Sequence, residues 1–437
     1  MNRQRSARII GLASAAIAVV GGSVLTTLPA NAADDATCAT AWSASTVYTG
    51  GQTASENGVN YTANWWTQGD DPATHSGASG SGQPWTSTGA CTTGSTTGGG
   101  GDSGGGGTGG GGTGGTGTGT PSGILLSPYK DVTINMNWNT DAMQTAVTGS
   151  VVPVVGGTNS LVAQDPKLSA ITLAFATGTC GSENWGGVPG AAFASANIPA
   201  LDSAGVDYVV STGGAAGTFS CASGSAMDAF IARYASPHMV GVDFDIEGGQ
   251  TASDISNLVS SAAAAQATYP NLRFSFTLAT LASSDGSYGG VNTLGDSVIK
   301  TLQASSLKNY TINLMVMDFG RASSTVCVVS GSACDMGQSA IQAVTNLEHT
   351  YGVPASQIEL TPMIGVNDDS TEVFSLADAD TVASYARSAG LAGVHYWSLD
   401  RDTPCATAGT TTASPTCNSL SGSTALEFTN RFISDLN

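Results

Sequence analysis

The run Val240-Gly241-Val242-Asp243-Phe244-Asp245-Ile246-Glu247 decides how this chain is read. Side chains alternate along an extended strand, so Asp243, Asp245 and Glu247 share one face and Val242, Phe244 and Ile246 the other. Three carboxylates on one face of so apolar a run are costly unless they share protons and shift their pKa values. Crowding of that kind keeps one acid protonated near neutral pH, where it can serve as a general acid. A cation site is the structural alternative, but such sites draw their oxygen ligands from loops.

Working outward, seven more runs read as strands: Val132–Asn137, Ile171–Ala176, Val206–Ser211, Leu272–Ala279, Ile312–Phe319, Ile358–Ile364 and Gly393–Ser398. Between them lie Ala-rich stretches of helical character, including 226–234, 252–267, 337–351 and 377–389. Strands apolar on both faces read as buried parallel strands. Eight of them with intervening helices predict an α/β fold, a TIM (β/α)8 barrel, with a doubly wound open sheet as the rival. In a barrel the chemistry sits at the C-terminal ends of the strands, where Glu247 falls.

The rest of the chain has a different composition. Arg3, Arg5 and Arg8 precede a largely apolar stretch, and Ala30-Asn31-Ala32 fits a small-x-small cleavage site. Residues 1–32 are therefore expected to be an export signal, placing the mature protein outside the cell. No later run is apolar for long enough to span a bilayer. Residues 92–121 are almost wholly Gly, Thr and Ser and are expected to tether two domains, 36–91 and 122–437, over roughly 30 Å. The eight cysteines suit an oxidising compartment, and their proximity suggests the pairs Cys38–Cys91, Cys180–Cys221, Cys327–Cys334 and Cys405–Cys417. No short CxxC or HxxxH spacing points to a metal, and no cofactor is expected. With 13 basic against 32 acidic residues, the chain lacks a phosphate-tracking surface, so nucleic acid is excluded as a partner. A monomer is expected.

Domain 36–91 is too short for a large core and is rich in aromatic residues, with β-favouring runs between Gly-Gly and Asn-Gly turns. It reads as a small all-β module. Trp42, Tyr61 and Trp85 are assigned to its core, and Tyr48, Trp65 and Trp66 to an exposed aromatic strip.

The acid run resembles the DxxDxDxE signature of glycoside hydrolase family 18, with Val240 in place of the first Asp. Ser211-Thr212-Gly213-Gly214 matches the SxGG motif of the third strand, and Trp397 the tryptophan that ends the eighth. The runs 361–368 (TPMIGVND) and 397–402 (WSLDRD), with Trp185-Gly186-Gly187, are similar to a bacterial and archaeal branch of these chitinases. The resemblance implies a retaining, substrate-assisted hydrolysis. In it Glu247 is the acid, Asp245 holds the substrate's acetamido group, Asp243 tunes Asp245, and Trp397 floors the subsite of the reacting sugar. Met317 stands where many members carry a tyrosine, and Asp318 keeps the acid that follows it; both are expected at the substrate. Domain 36–91 resembles carbohydrate-binding module family 5/12 through Ala41-Trp42, the 48–51 turn, 61–66 and Trp85.

Together these imply an enzyme whose partners are chitin and chito-oligosaccharides. Only about 25 residues separate Asp368 from Gly393, too few for the inserted domain that walls the cleft of many relatives, so an open groove and endo-type cleavage are expected. An inactive chitin-binding lectin, an endo-β-N-acetylglucosaminidase acting on glycoprotein glycans, and a cellulase are the alternatives.

Overall fold

The computed structural model describes residues 36–44, 46, 48, 52–63, 67, 69–77, 83–92, 123–407 and 409–436. The expected export signal, the tether, Trp65 and Trp66 lie outside the described residues. The chain forms two compact units.

In the smaller unit, strands Thr53–Glu56, Val59–Ala63 and Trp85–Thr92 form an antiparallel meander, with Ala36–Thr37 added in parallel to the last. Asn57 and Gly58 both have positive φ, the requirement of a tight two-residue hairpin and the reason Asn-Gly occurs there. The core is Tyr48, Ala54, Tyr61, Ala63 and Trp85, with Trp42 and Val59 partly buried against it. The Trp85 indole N–H donates to the Asp70 carbonyl at 2.8 Å. The Cys38–Cys91 disulfide joins the two ends.

Tyr48 departs from its expected place on an exposed strip. It is buried, its ring standing edge-on to Trp85 at 5.0 Å, and its phenol oxygen accepts the Ser43 amide. A module this small spends its rings on its own core, and Tyr48 satisfies its polar end internally.

The larger unit is the expected α/β barrel. Nine parallel segments run, in spatial order, Leu125–Leu126, Gly393–Val394, Ile358–Thr361, Tyr310–Met315, Arg273–Ala279, Met239–Ile246, Asp207–Gly213, Ala170–Ala176 and Tyr129–Asp131. The first and last of these are halves of one strand, interrupted at Ser127-Pro128. One half pairs with the eighth strand and the other with the second, so the sheet closes on itself with eight strands. Helices Gly190–Ala204, Gly224–Tyr234, Ala252–Ala265, Thr293–Ala304, Met336–Tyr351, Leu376–Ala389 and Glu427–Leu436 cover the sheet. Ala252–Ala265 and Leu376–Ala389 begin with capping boxes, Thr251/Asp254 and Ser375/Asp378.

The first strand is not Val132–Asn137, which is a turn. That run alternates apolar and polar residues and so imitates a strand, whereas the true one contains Pro128 and a charged residue. Lys130 is fully buried there and ion-paired with Asp400 at 2.8 Å. Burial of that lysine depends on this partner.

The fourth strand is buried along its whole length. Its outward side chains pack with apolar neighbours: Phe244 stacks on Phe274 and meets Phe276 at 5.1 Å. Its inward face is polar. The register sets Asp243 between Ser211 and Ser275, and Asp245 between Gly213 and Thr277.

Candidate active site

Asp243 lies deepest. Its Oδ2 accepts the hydroxyls of Ser211 at 2.5 Å and Tyr129 at 3.0 Å, and its Oδ1 that of Thr277 at 2.7 Å. The Asn313 side-chain amide donates to both the Tyr129 and Thr277 oxygens, which leaves their protons free to turn toward Asp243. Thr361 in turn donates to the Asn313 carbonyl oxygen at 2.8 Å. Burial pushes the Asp243 carboxyl up, and the three hydroxyls oppose that push without cancelling it.

Asp245, two residues on, is buried with no donor at Oδ1. Burial, then the charges of Glu247 and Asp243, hold it well above the usual carboxylate range. Of the two aspartates, Asp245 is the one whose surroundings favour the protonated form. Glu247 follows the end of the strand and opens to solvent. Its pKa is raised first by burial of the carboxyl and then by the charge of Asp318, while the Ala215 amide works against both.

The two glycines after Ser211 have separate reasons. Gly213 has φ +88°, and a Cβ there would lie 2.1 Å from the Asp245 carbonyl oxygen. Gly214 has φ +80°, and its Cβ would strike the Phe175 ring. The third strand can therefore approach the acid strand only with glycine at 213, and glycine at 214 leaves room for the Phe175 ring of the second strand.

These groups face a cavity of about 300 Å3. One wall is aromatic: Trp397, half-buried, stacks on Phe175 at 5.6 Å and 20°, with Tyr129 tilted 6.2 Å away. Asp245, Glu247, Asp318 and Asp368 supply its acids, and Met315, Met317 and Met363 add soft apolar surface. Arg401 and the segment Ala413-Ser414-Pro415 close another side. Asp318 sits at positive φ, with its amide donating to Asn367 Oδ1 at 3.3 Å and its Oδ1 accepting the Asp368 amide at 2.9 Å. Behind it, buried Glu372 accepts the Phe319 amide at 3.0 Å. Among the described residues, no group of three or more His, Cys, Asp or Glu is placed to hold a metal ion.

The cavity thus gathers Glu247 and Asp245 of the residues singled out from sequence, with Asp243 beneath them. Tyr48 belongs to the other unit and its core. Tyr129, Phe175, Asn313, Glu372 and Arg401 were not singled out. Tyr129 was hidden by the misplaced first strand, and Glu372 by an acidic loop sequence that looks like solvated surface. Only Arg401 left a signal, as part of the run 397–402.

Chemically, the arrangement offers an acid of raised pKa at an open rim, a second carboxyl with a free oxygen beside it, and a flat aromatic wall. Residues 41–86 match the family model of carbohydrate-binding module family 5/12. That match falls within the small unit. Over 431 residues the chain is 27% identical to a "Probable bifunctional chitinase/lysozyme" of Escherichia coli (strain K12), covering 87% of this chain and 47% of the relative. Over 269 residues it is 29% identical to "Endochitinase 11" of Metarhizium anisopliae, covering 56% of this chain and 50% of the relative. The chain spans about half the length of these curated relatives. The barrel has the fold of the catalytic domain of the hyperthermophilic chitinase from Pyrococcus furiosus, with a TM-score of 0.52 at 23% identity, covering 72% of this chain and 96% of that one.

Proposed function

We propose that the chain is an exported family 18 chitinase that cleaves β-1,4-linked N-acetylglucosamine polymers internally, with retention and by substrate assistance. The observation that carries this reading is the pairing of Asp245, buried and with an oxygen that accepts no donor, with Glu247 at the open rim of the Trp397-walled cavity. No second carboxylate pair is needed in such a scheme.

Glu247 protonates the glycosidic oxygen as the anomeric C–O bond breaks. The carbonyl oxygen of the substrate's own 2-acetamido group attacks the anomeric carbon and forms an oxazolinium ion. Asp245 holds the acetamido N–H and, by yielding the proton it shares with Asp243, becomes the anion that offsets the developing positive charge. Glu247, now ionised, takes a proton from the water that opens the ring, which restores the acid and retains the configuration. Trp397 stacks on the reacting sugar.

The names of the relatives support chitin as substrate, and the family 5/12 module supports an insoluble polymer, since tethering raises local concentration there. The four disulfides, which leave no free cysteine among the described residues, support an extracellular site of action. The mechanism is tested by substrate chemistry. N-acetylated chito-oligosaccharides are expected to be cleaved to the β-anomer first, and fully de-N-acetylated oligomers not at all. Cleavage of both at similar rates, or an α-anomer as first product, contradicts it.

A further inference from the structure

Residues 403–418 form a loop after the eighth strand that the catalytic scheme does not use. Its stem is closed twice, by the Cys405–Cys417 disulfide and by the Asn418 amide donating to the Thr403 carbonyl at 3.0 Å. Ser419 Oγ, at the base, donates to the Thr412 carbonyl at 2.7 Å. The far side of the loop, Ala413-Ser414-Pro415, lines the cavity that holds Asp245 and Glu247.

Arg401 is one of the groups that fasten this loop to the barrel. Arg401 is buried to 1% exposure. Its Nη1 donates to the Ser414 carbonyl, and its Nη2 to the carbonyls of Ile364 at 2.9 Å and Val366 at 2.7 Å. Among the described residues no carboxylate lies within ion-pairing distance of it, and its Nε is buried without a partner. A buried guanidinium held by carbonyl oxygens alone costs stability relative to an apolar side chain. The seventh-strand extension is shaped to the same contact: the Val366 amide donates to the Asn418 carbonyl at 3.0 Å, and a Cβ on Gly365 (φ +78°) would lie 2.0 Å from that oxygen. Gly365 and Arg401 are thus two halves of one docking joint between the runs 361–368 and 397–402.

We infer that Arg401 is a positioning residue that locks the disulfide-closed loop against the barrel, and that Ala413-Ser414-Pro415 is a wall of the substrate cleft that sets how tightly the sugar chain is held. The barrel has no room for an inserted domain between its seventh and eighth strands, and this loop supplies a smaller wall after the eighth. The inference rests on the proposed chitinase reading.

A planar guanidinium bridges three carbonyls in two directions, whereas a lysine ammonium on its flexible stem does not. Arg401→Lys therefore keeps the charge near Asp318 and Asp368 but loses the lock. The double variant Cys405→Ala/Cys417→Ala loosens the same loop from its other anchor without altering charge. Both are made in the full chain and assayed on chito-oligosaccharides of three to six sugars, with melting followed alongside.

The expected result is a KM raised about tenfold by either variant, with kcat within about twofold of the wild type. The cleavage pattern along the hexamer is expected to shift in the same direction in both. A wild-type KM in Arg401→Lys, or a fall in kcat with KM unchanged, overturns the inference. So does a lowered melting temperature with KM and cleavage pattern intact, which marks the joint as structural only. If the wild type itself cleaves no chito-oligosaccharide, the chitinase reading falls and the inference with it; an active wild type with unresponsive variants removes the inference alone.

Discussion

Asp243 and Asp245 point into the same barrel from the same strand, yet Asp243 accepts three hydroxyl protons while one oxygen of Asp245 accepts none. Burial, then the charges of Glu247 and Asp243, favour a proton on Asp245, whereas the hydroxyls favour charge on Asp243. It is the asymmetry that the proposed tuning of Asp245 by Asp243 calls for.

Ser211→Ala tests this relation. It removes one of the donors to Asp243 without leaving a new polar group buried. A loss of about 1.5–3 kcal/mol of stability is expected at neutral pH, as for a hydrogen bond to a charged group. Chemical denaturation measures it, and kcat is expected to fall with it as charge on Asp243 becomes harder to hold. Unchanged kcat and stability together count against a tuning role for Asp243.

Asp318→Asn tests the electrostatics of the acid. After burial, the Asp318 charge is the largest influence raising the Glu247 pKa. Removing it lowers that pKa, so a general acid at Glu247 is lost at a lower pH. The alkaline limb of the pH profile of kcat/KM is expected to move toward acid pH, with the activity at pH 5 less affected. A limb that stays in place separates Glu247 from that limb.

Glu372 has a folded-state pKa raised from 4.5 to about 7, first by burial, with the amides of Phe319 and Gly320 opposing and the charges of Asp318 and Asp369 adding. A carboxyl with a raised pKa binds more protons folded than unfolded across that window. Its contribution to stability is therefore present at low pH and is lost as the pH rises from about 4.5 to about 7. Glu372→Gln keeps an acceptor for the Phe319 amide and never ionises. Relative to wild type it is expected to be more stable at pH 8, by about 1–3 kcal/mol, and little changed at pH 5. Denaturant unfolding at the two pH values reads the difference, and an equal effect at both contradicts the linkage.

The barrel was legible because its central strands are nearly unbroken apolar runs, and the fourth because Asp243, Asp245 and Glu247 keep a strict period of two. The first strand was not, because its burial of Lys130 depends on Asp400, which lies 270 positions away in the chain. The helix Gly190–Ala204 carries Pro199 in its interior, which weakens any reading by local preference. Trp397 was legible as the residue that ends the eighth strand, but its stacking partner Phe175 belongs to a strand that reads as plain core. Tyr48 misled for a related reason: in a small module the rings that bind and the rings that fill the core have the same sequence signature. The Arg401 joint is invisible locally, since its three acceptors are backbone carbonyls, and any residue has one.

Removing residues 33–120 separates the two units. Release of soluble product from insoluble chitin is expected to fall about tenfold or more, and hydrolysis of short soluble oligomers to stay near wild type. Equal loss on both substrates contradicts a targeting role for the module.

The assignment of Glu247 as the acid is tested most directly by Glu247→Gln, which keeps the shape of the side chain and removes its proton. Wild type and variant are incubated with colloidal chitin, and soluble N-acetylglucosamine oligomers are measured. Wild type is expected to release them and the variant to release at least about a thousandfold less, with its melting temperature preserved. No release by the wild type, or equal release by both, contradicts it.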